Sequence, residues 1–256
     1  MNPKVLRGQF SDSRMSGNKC GDSRMSRQKD NVRFLSSSHS KALLPKRVED
    51  LMGVNLFTGC SPSKQVPHEK RAYNTAPNWF GGIYPTANYR DRVQQLLGDR
   101  DYGTLVIQAS GCDLTNIKNL PKQERDERAA LSSMNTIEIV ELALYNRPTL
   151  TGVVIIPRTP RIDHAYLTEL TESSNVYLDE LVRDSRYNQP HQSVTKITMG
   201  PLNYLRVDTE RQRLDLFGRV LSKPCFDGIH MRGPHGKELY TSLVCASIEK
   251  HLCDWH

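Results

Sequence analysis

The sequence has 256 residues, of which 37% are hydrophobic and 25% charged, and its formal net charge is +7 at pH 7. This length and composition fit one domain with a hydrophobic core, and no apolar run is long enough to predict a membrane-spanning helix. The first ten residues lack the apolar stretch of a secretory signal, so we expect a cytoplasmic protein and leave a nuclear location open.

Residues 1–31 are predicted to form a disordered basic tail. The segment "SDSRMSGNK" (11–19) is repeated imperfectly as "GDSRMSRQK" (21–29), and both copies contain almost no aliphatic residues. Residues 1–33 hold eight Lys and Arg against three Asp, which is +5 of the net +7. Such a tail can contact nucleic acid weakly, although a solvated tail is the simpler interpretation. We assign residues 32–256 to the folded domain.

Strands and helices alternate in the predicted order of the folded domain. The strands are short apolar runs at "VRFL" (32–35), "GVNLF" (53–57), "GTLVIQAS" (103–110), "TGVVIIPRTP" (151–160) and "TKITMG" (195–200). Helical patterns are expected near 41–52, 88–97, 124–145, 163–184 and 237–252, and residues 58–88 are expected to form a long loop. Short apolar strands alternating with helices predict a parallel sheet covered by helices on both faces.

The six cysteines are scattered along the chain and form no Cys-x-x-Cys pair. They are Cys20, Cys60, Cys112, Cys225, Cys245 and Cys253. This spacing argues against a zinc site and fits a reducing compartment. We predict neither a metal nor a cofactor.

Polar clusters follow the predicted strands, where the ligands of parallel sheets bind. The literal Gly-Asp-Ser at 21–23 is not a credible nucleophile turn, because no buried strand precedes it. "VRFLSSSHSKALL" (32–44) has the required strand, polar turn and helix, and its turn contains Ser36, Ser37 and Ser38. A serine attacks only if a base removes its proton, and imidazole suits that role near neutral pH.

The turn "DGIH" (227–230) before the last helix is a candidate acid–base pair. His230 would accept the serine proton, and Asp227 would hold the imidazole tautomer and stabilise the imidazolium. The plainer alternative is that Asp227 caps the helix and His230 is a surface histidine.

Three blocks of the sequence resemble the SGNH/GDSL-type hydrolases over residues 32–252. "DGIHMRG" (227–233) is similar to the C-terminal Asp-x-x-His block, "SSS" (36–38) aligns with Gly-Asp-Ser, and "SGCD" (110–113) aligns with Gly-x-Asn-Asp. "LVIQASGCDLTNIKN" (105–119), "VVIIPRTPRID" (153–163) and "FDGIHMRG" (226–233) together resemble SGNH-like domains of marine invertebrate proteins and esterase-like domains of some non-LTR retrotransposons. The resemblance implies a three-layer α/β/α, flavodoxin-like fold with about five parallel strands, and a Ser38–His230–Asp227 triad acting on a small carboxylic ester.

The implied oxyanion hole departs from the pattern of these hydrolases. Its expected donors are the backbone N–H of Ser38, Gly59 for the second block, and Cys112, which replaces an asparagine. A thiol is a weak hydrogen-bond donor, and loss of one oxyanion donor typically costs about 10²–10³ in rate. Ser36 and Ser37 also replace the Gly and Asp of the first block.

These departures leave a second function open: a catalytically degenerate SGNH-fold binding module that contacts nucleic acid through residues 1–33. The sequence does not predict the oligomeric state.

Several further residues have two interpretations each. Cys112 is either an oxyanion donor or a nucleophile, and Asp113 is either catalytic or, like Asn116, bonded to loop amides. Asp163 and His164 either face the cleft or lie where Asp163 begins a helix. Arg158 and Arg161 either hold an acidic substrate or pair with loop carboxylates, and Trp79 with Tyr84 either covers the cleft or anchors the long loop.

Overall fold

The structure is a computed structural model, and it describes residues 30–36, 39, 42–58, 97, 101–108, 114, 117, 119–161, 164–188, 195–202, 204, 206–207, 213–214, 225 and 230–253. Its strands are β1 (Asn31–Ser36), β2 (Asn55–Thr58), β3 (Thr104–Gln108), β4 (Gly152–Ile155), β5 (Lys196–Met199), β6 (Arg206–Val207) and β7 (Arg213–Leu214). Its helices are α1 (Pro45–Met52), α2 (Lys122–Asn146), α3 (Ala165–Arg183) and α4 (Gly233–Cys253), and a 3₁₀ turn spans Arg186–Asn188.

Five parallel strands form the central sheet in the order β2-β1-β3-β4-β5. The flavodoxin-like class of doubly wound folds has this order. Because all five strands run the same way, their carboxyl ends share one edge of the sheet, and we call it the carboxyl edge. The strand β4 is buried along its whole length, as expected for a strand covered on both faces.

Two hydrophobic layers cover the two faces of this sheet. One joins β1, β3 and β4 to α1 and α4, and its buried residues include Val32, Phe34, Val106, Val154, Val48, Leu243 and Ile248. The other joins the sheet to α2 and α3 through residues that include Leu35, Ile107, Val153, Ile155, Ile139, Val140 and Leu178. The predicted three-layer α/β/α, flavodoxin-like fold with about five parallel strands is therefore confirmed.

The last helix begins earlier than the sequence predicts. We expected it to start at residue 237, because Gly233, Pro234 and Gly236 resemble helix breakers, but α4 starts at Gly233. Gly233 has a φ of 64°, which glycine adopts without strain, and proline is well tolerated in a first helical turn. The α4 helix therefore begins three residues after His230.

Other differences from the prediction are small. The antiparallel pair of β6 and β7 was not predicted, since two-residue strands leave no hydrophobic period to detect. Of the expected tail, residues 1–29 lie outside the described residues, and Asn31 begins β1. Of the expected loop at 58–88, Thr58 ends β2 and the rest lies outside them, as does the expected helix at 88–97 apart from Leu97. Among those described, no helix has both the length and the hydropathy to cross a membrane.

Candidate functional site

Two polar side chains end neighbouring strands at the carboxyl edge. Ser36 ends β1 and Gln108 ends β3, and the two residues are paired in the parallel register. Both are buried, and the Ser36 hydroxyl donates a hydrogen bond to Gln108 Oε1 over 3.3 Å. Ser36 stands where the SGNH pattern has glycine, so the structure gives this departure a hydrogen-bonding role.

The first turn after β1 meets the turn that precedes α4. The imidazole rings of His39 and His230 lie with centroids 5.1 Å apart and planes inclined by 48°. The His39 ring also stacks on Tyr240 of α4, with centroids 6.0 Å apart and planes at 26°. Two segments almost two hundred residues apart in sequence therefore come together at the carboxyl edge.

A backbone contact joins Cys225 and Arg232, which lie on either side of the Asp-x-x-His block in the sequence. The amide of Arg232 donates to the carbonyl oxygen of Cys225 over 2.6 Å. The first turn of α4 packs on the same carbonyl, because a Cβ at Gly236 would overlap the oxygen and carbon of Cys225. Gly236 therefore permits the close approach of the Cys225 backbone to α4.

A buried polar cluster lies beneath these turns. The Tyr240 hydroxyl donates to Gln108 Oε1 over 2.7 Å and lies 3.4 Å from the Ser36 hydroxyl. Burial raises the pKa of Tyr240 well above its ordinary value, and the hydrogen bond with Ser36 lowers it by less. The phenol is therefore protonated near neutral pH and acts as a donor to Gln108.

Of the predicted site residues, His230 is the one that the structure describes. Ser38, Asp227, Gly59 and Cys112 lie outside the described residues, and their roles stay predictions. So do the interpretations of Asp113, Asn116, Asp163, Trp79 and Tyr84, for the same reason.

His164, expected at a helix start, directly precedes α3 and is exposed, and its ring stacks on Tyr166 with centroids 5.8 Å apart. It makes no side-chain capping hydrogen bond to α3. Because His164 is exposed and is not a member of the proposed triad, it is a useful control position.

Arg158 follows β4 and is only 4% exposed. Its guanidinium donates to four hydroxyls and one backbone carbonyl of α2 and α3, from Ser132, Ser133, Thr136 and Ser174. Asn175 also binds the backbone of Arg158 on both sides, by accepting from its N–H and donating to its carbonyl oxygen. Neither interpretation of Arg158 from the sequence included this hydroxyl-lined setting between two helices. The signal that the sequence carried was the group of Ser and Thr residues inside predicted helices.

We expect Arg158→Met to lower the free energy of unfolding by about 1–3 kcal/mol, because it leaves buried hydroxyl groups without their donor. Arg183→Met is the matched control, since Arg183 is 66% exposed and pairs with Asp179 on the surface of α3, where an ion pair contributes about 0–1 kcal/mol. Urea unfolding of both variants measures the difference. Equal, small losses would contradict a structural role for the buried guanidinium.

A cavity of about 10 Å³ lies near Arg158 and is lined by Pro157, Arg158, Thr159, Pro160, Pro201, Leu202, Tyr204 and Leu243. This volume accommodates about one water molecule, so the cavity is too small for an ester substrate. Within the described part of the chain, no group of three or more His, Cys, Asp or Glu side chains is arranged to hold a metal ion.

Comparison with known proteins identifies the fold. No model of a known protein family matches the sequence, and no curated protein matches it. Among solved structures, a Bacteroides fragilis protein described as an acylhydrolase aligns with 88% of this chain and 89% of its own, at 13% identity and a TM-score of 0.51. A carbohydrate acetylesterase from Sinorhizobium meliloti aligns at 10% identity with a TM-score of 0.47, covering 89% of this chain and 100% of its own. A GDSL-like lipase from Bacteroides thetaiotaomicron aligns at 12% identity with a TM-score of 0.46, covering 86% and 88%.

The fold assignment depends on the strand order and on the first of these alignments, whose TM-score exceeds one half. Together they show that the chain has the three-layer α/β/α, flavodoxin-like fold of this acylhydrolase, which is the fold that the sequence resemblance implied. At such low identity this likeness concerns the fold alone, because one fold supports many activities.

Proposed function

We propose that the protein is a serine hydrolase of the SGNH type that cleaves a small carboxylic ester, for example an O-acetyl group. The observation that carries the proposal is the contact between His39 and His230. His39 directly follows Ser38 in the chain, so the backbone of the proposed nucleophile is tied to a residue that already touches the proposed base.

In the proposed reaction, His230 removes the proton from Ser38 Oγ as this oxygen attacks the acyl carbon. Asp227 holds the imidazole in the required tautomer and stabilises the imidazolium that forms. His230 then returns the proton to the departing alcohol, which leaves an acyl-enzyme. A water molecule that His230 deprotonates cleaves the acyl group from Ser38 and restores the free serine.

The tetrahedral intermediates carry negative charge on the former carbonyl oxygen. The backbone N–H of Ser38, the N–H of Gly59 and the thiol of Cys112 are the proposed donors to this oxyanion. Because a thiol donates weakly, we expect slower turnover than an asparagine at position 112 would support. Cys112→Asn should therefore raise kcat if the third block is aligned correctly.

Hydrolysis of p-nitrophenyl acetate by the full-length protein tests the proposal. The serine run offers a matched pair, because Ser38→Ala removes the proposed nucleophile and Ser37→Ala removes its neighbour. We expect the unmodified protein and Ser37→Ala to hydrolyse the ester and Ser38→Ala to lose this activity. Equal rates for the unmodified protein and Ser38→Ala would reject Ser38 as the nucleophile.

The degenerate binding module remains the second candidate, since two of the three blocks depart from the hydrolase pattern. An unmodified protein without esterase activity would favour it. The affinity for single-stranded and duplex nucleic acid is then measured at several salt concentrations, for the protein with and without residues 1–33. The comparison tests whether the tail binds nucleic acid. If its basic residues contact phosphates, their deletion should weaken binding and flatten the salt dependence.

A further inference from the structure

The side-chain amide of Gln108 has a partner for each of its hydrogen-bonding positions. Its nitrogen donates to the carbonyl oxygen of Pro157 over 2.8 Å and to the hydroxyl of Thr159 over 3.4 Å. Its oxygen accepts from the hydroxyls of Tyr240 and Ser36. A primary amide has two N–H donors and two acceptor lone pairs, so all four are used, and Gln108 is only 3% exposed. A buried and fully bonded amide holds its partners in one geometry.

The four partners of Gln108 belong to three different segments at the carboxyl edge. Ser36 lies two residues before Ser38, and Gln108 itself lies four residues before Cys112. Pro157 and Thr159 follow β4, and Tyr240 lies on α4, ten residues after His230. The amide therefore links the strand before the proposed nucleophile, the strand before an oxyanion donor and the helix after the proposed base.

Tyr240 extends this linkage to the imidazole pair. Its hydroxyl binds Gln108, while its ring stacks on His39, which contacts His230. A shift of Gln108 or Tyr240 would consequently be transmitted to both turns that carry the proposed triad.

We infer that Gln108, acting with Tyr240, is a positioning residue that sets the distance between the proposed nucleophile and the proposed base. The inference depends on the proposed hydrolase activity and assigns Gln108 no contact with substrate. Because a displacement of about 1 Å in a reacting pair can cost about 10²-fold in rate, the expected effect is on kcat rather than on KM.

The chain contains a second amide linkage that serves as a matched control. Asn188 donates to the carbonyl oxygens of Val182 and Ile197 and accepts from the N–H of Ile197. It joins the 3₁₀ turn after α3 to the start of β5, at the opposite edge of the sheet from Gln108. Removing either amide breaks several hydrogen bonds, but only the Gln108 amide lies beneath the proposed site.

The experiment compares Gln108→Leu, Tyr240→Phe and Asn188→Leu with the unmodified protein. Thermal unfolding should show that all three variants are destabilised. We expect kcat for p-nitrophenyl acetate to fall about 10²-fold in Gln108→Leu. In Tyr240→Phe, which loses only the hydroxyl and its contacts with Gln108 and Ser36, we expect kcat to fall about tenfold. KM should change less than twofold, and Asn188→Leu should keep its kcat. If Gln108→Leu does not fold, Tyr240→Phe, which keeps the ring, decides the question.

A second measurement separates this inference from the proposed activity. The imidazole nitrogen resonances of His230, assigned with His230→Asn, should shift in Gln108→Leu and Tyr240→Phe but not in Asn188→Leu. If the unmodified protein is inactive, the hydrolase proposal is rejected. The His230 resonances would still show whether Gln108 and Tyr240 position the His230 ring. Unchanged kcat and unchanged resonances in a folded Gln108→Leu or Tyr240→Phe would overturn the inference. So would an equal change in Asn188→Leu.

Discussion

Replacing His230 with asparagine is expected to lower kcat for ester hydrolysis by about 10⁴- to 10⁶-fold, the range typical for loss of a member of a serine triad. Asparagine preserves polarity and some hydrogen bonding but cannot accept and return the serine proton. The structure makes His230 the appropriate target because its ring lies against His39, the residue next to Ser38.

His164→Asn is the control for this substitution. His164 is exposed and stacks on Tyr166 at the start of α3, so its loss should leave kcat unchanged. Initial rates with p-nitrophenyl acetate across a range of substrate concentrations give kcat for both variants. A His230→Asn variant that retains the rate of the unmodified protein would show that another group supplies the base.

The second large effect is expected from Gly236→Ala. The added Cβ would overlap the carbonyl of Cys225, and since that group is backbone, Cys225 and the start of α4 have to move apart. The same carbonyl accepts from Arg232, and the sequence between Cys225 and Arg232 contains both Asp227 and His230. We therefore expect kcat to fall by about 10²-fold and the free energy of unfolding to fall by about 1–3 kcal/mol.

Gly53→Ala is the matched glycine control. Gly53 follows α1 with a φ of 66°, and a Cβ there would meet no atom within 4 Å. Alanine at this φ costs about 1–2 kcal/mol, so this variant should lose comparable stability without losing activity. Thermal unfolding and kcat, measured together, separate the two effects. If Gly236→Ala loses stability but keeps its kcat, the contact with Cys225 has no part in positioning the Asp-x-x-His block.

The layered fold could be predicted because the strands are short apolar runs and the helices between them have recognisable patterns. The run Gly152–Ile155 is buried throughout, and the sequence already suggested such burial. The start of α4 could not be predicted from local pattern. Gly233 has a positive φ there, proline is tolerated in a first helical turn, and Gly236 makes room for the backbone of Cys225, a contact between two segments. Local patterns carry no information about that contact.

The meeting of two turns at the carboxyl edge was predicted for a topological reason, while the roles of Ser38, Asp227 and His230 stay predictions. Residues that follow parallel strands gather at one edge, so the turns after β1 and before α4 were expected to meet, and His39 does contact His230. The polar cluster of Gln108, Tyr240 and Ser36 was missed, because each residue alone resembles an ordinary strand end or a core aromatic. A glutamine ending an apolar strand was the available signal, but its four partners come from segments that the sequence does not connect.

The most direct measurement is the distance between Ser38 Oγ and His230 Nε2 in a crystal structure. We predict hydrogen-bond reach, roughly 2.6–3.2 Å and somewhat longer without a bound ligand. Side chains that face away from each other, too far apart for even one water molecule to bridge them, would contradict the proposed hydrolase.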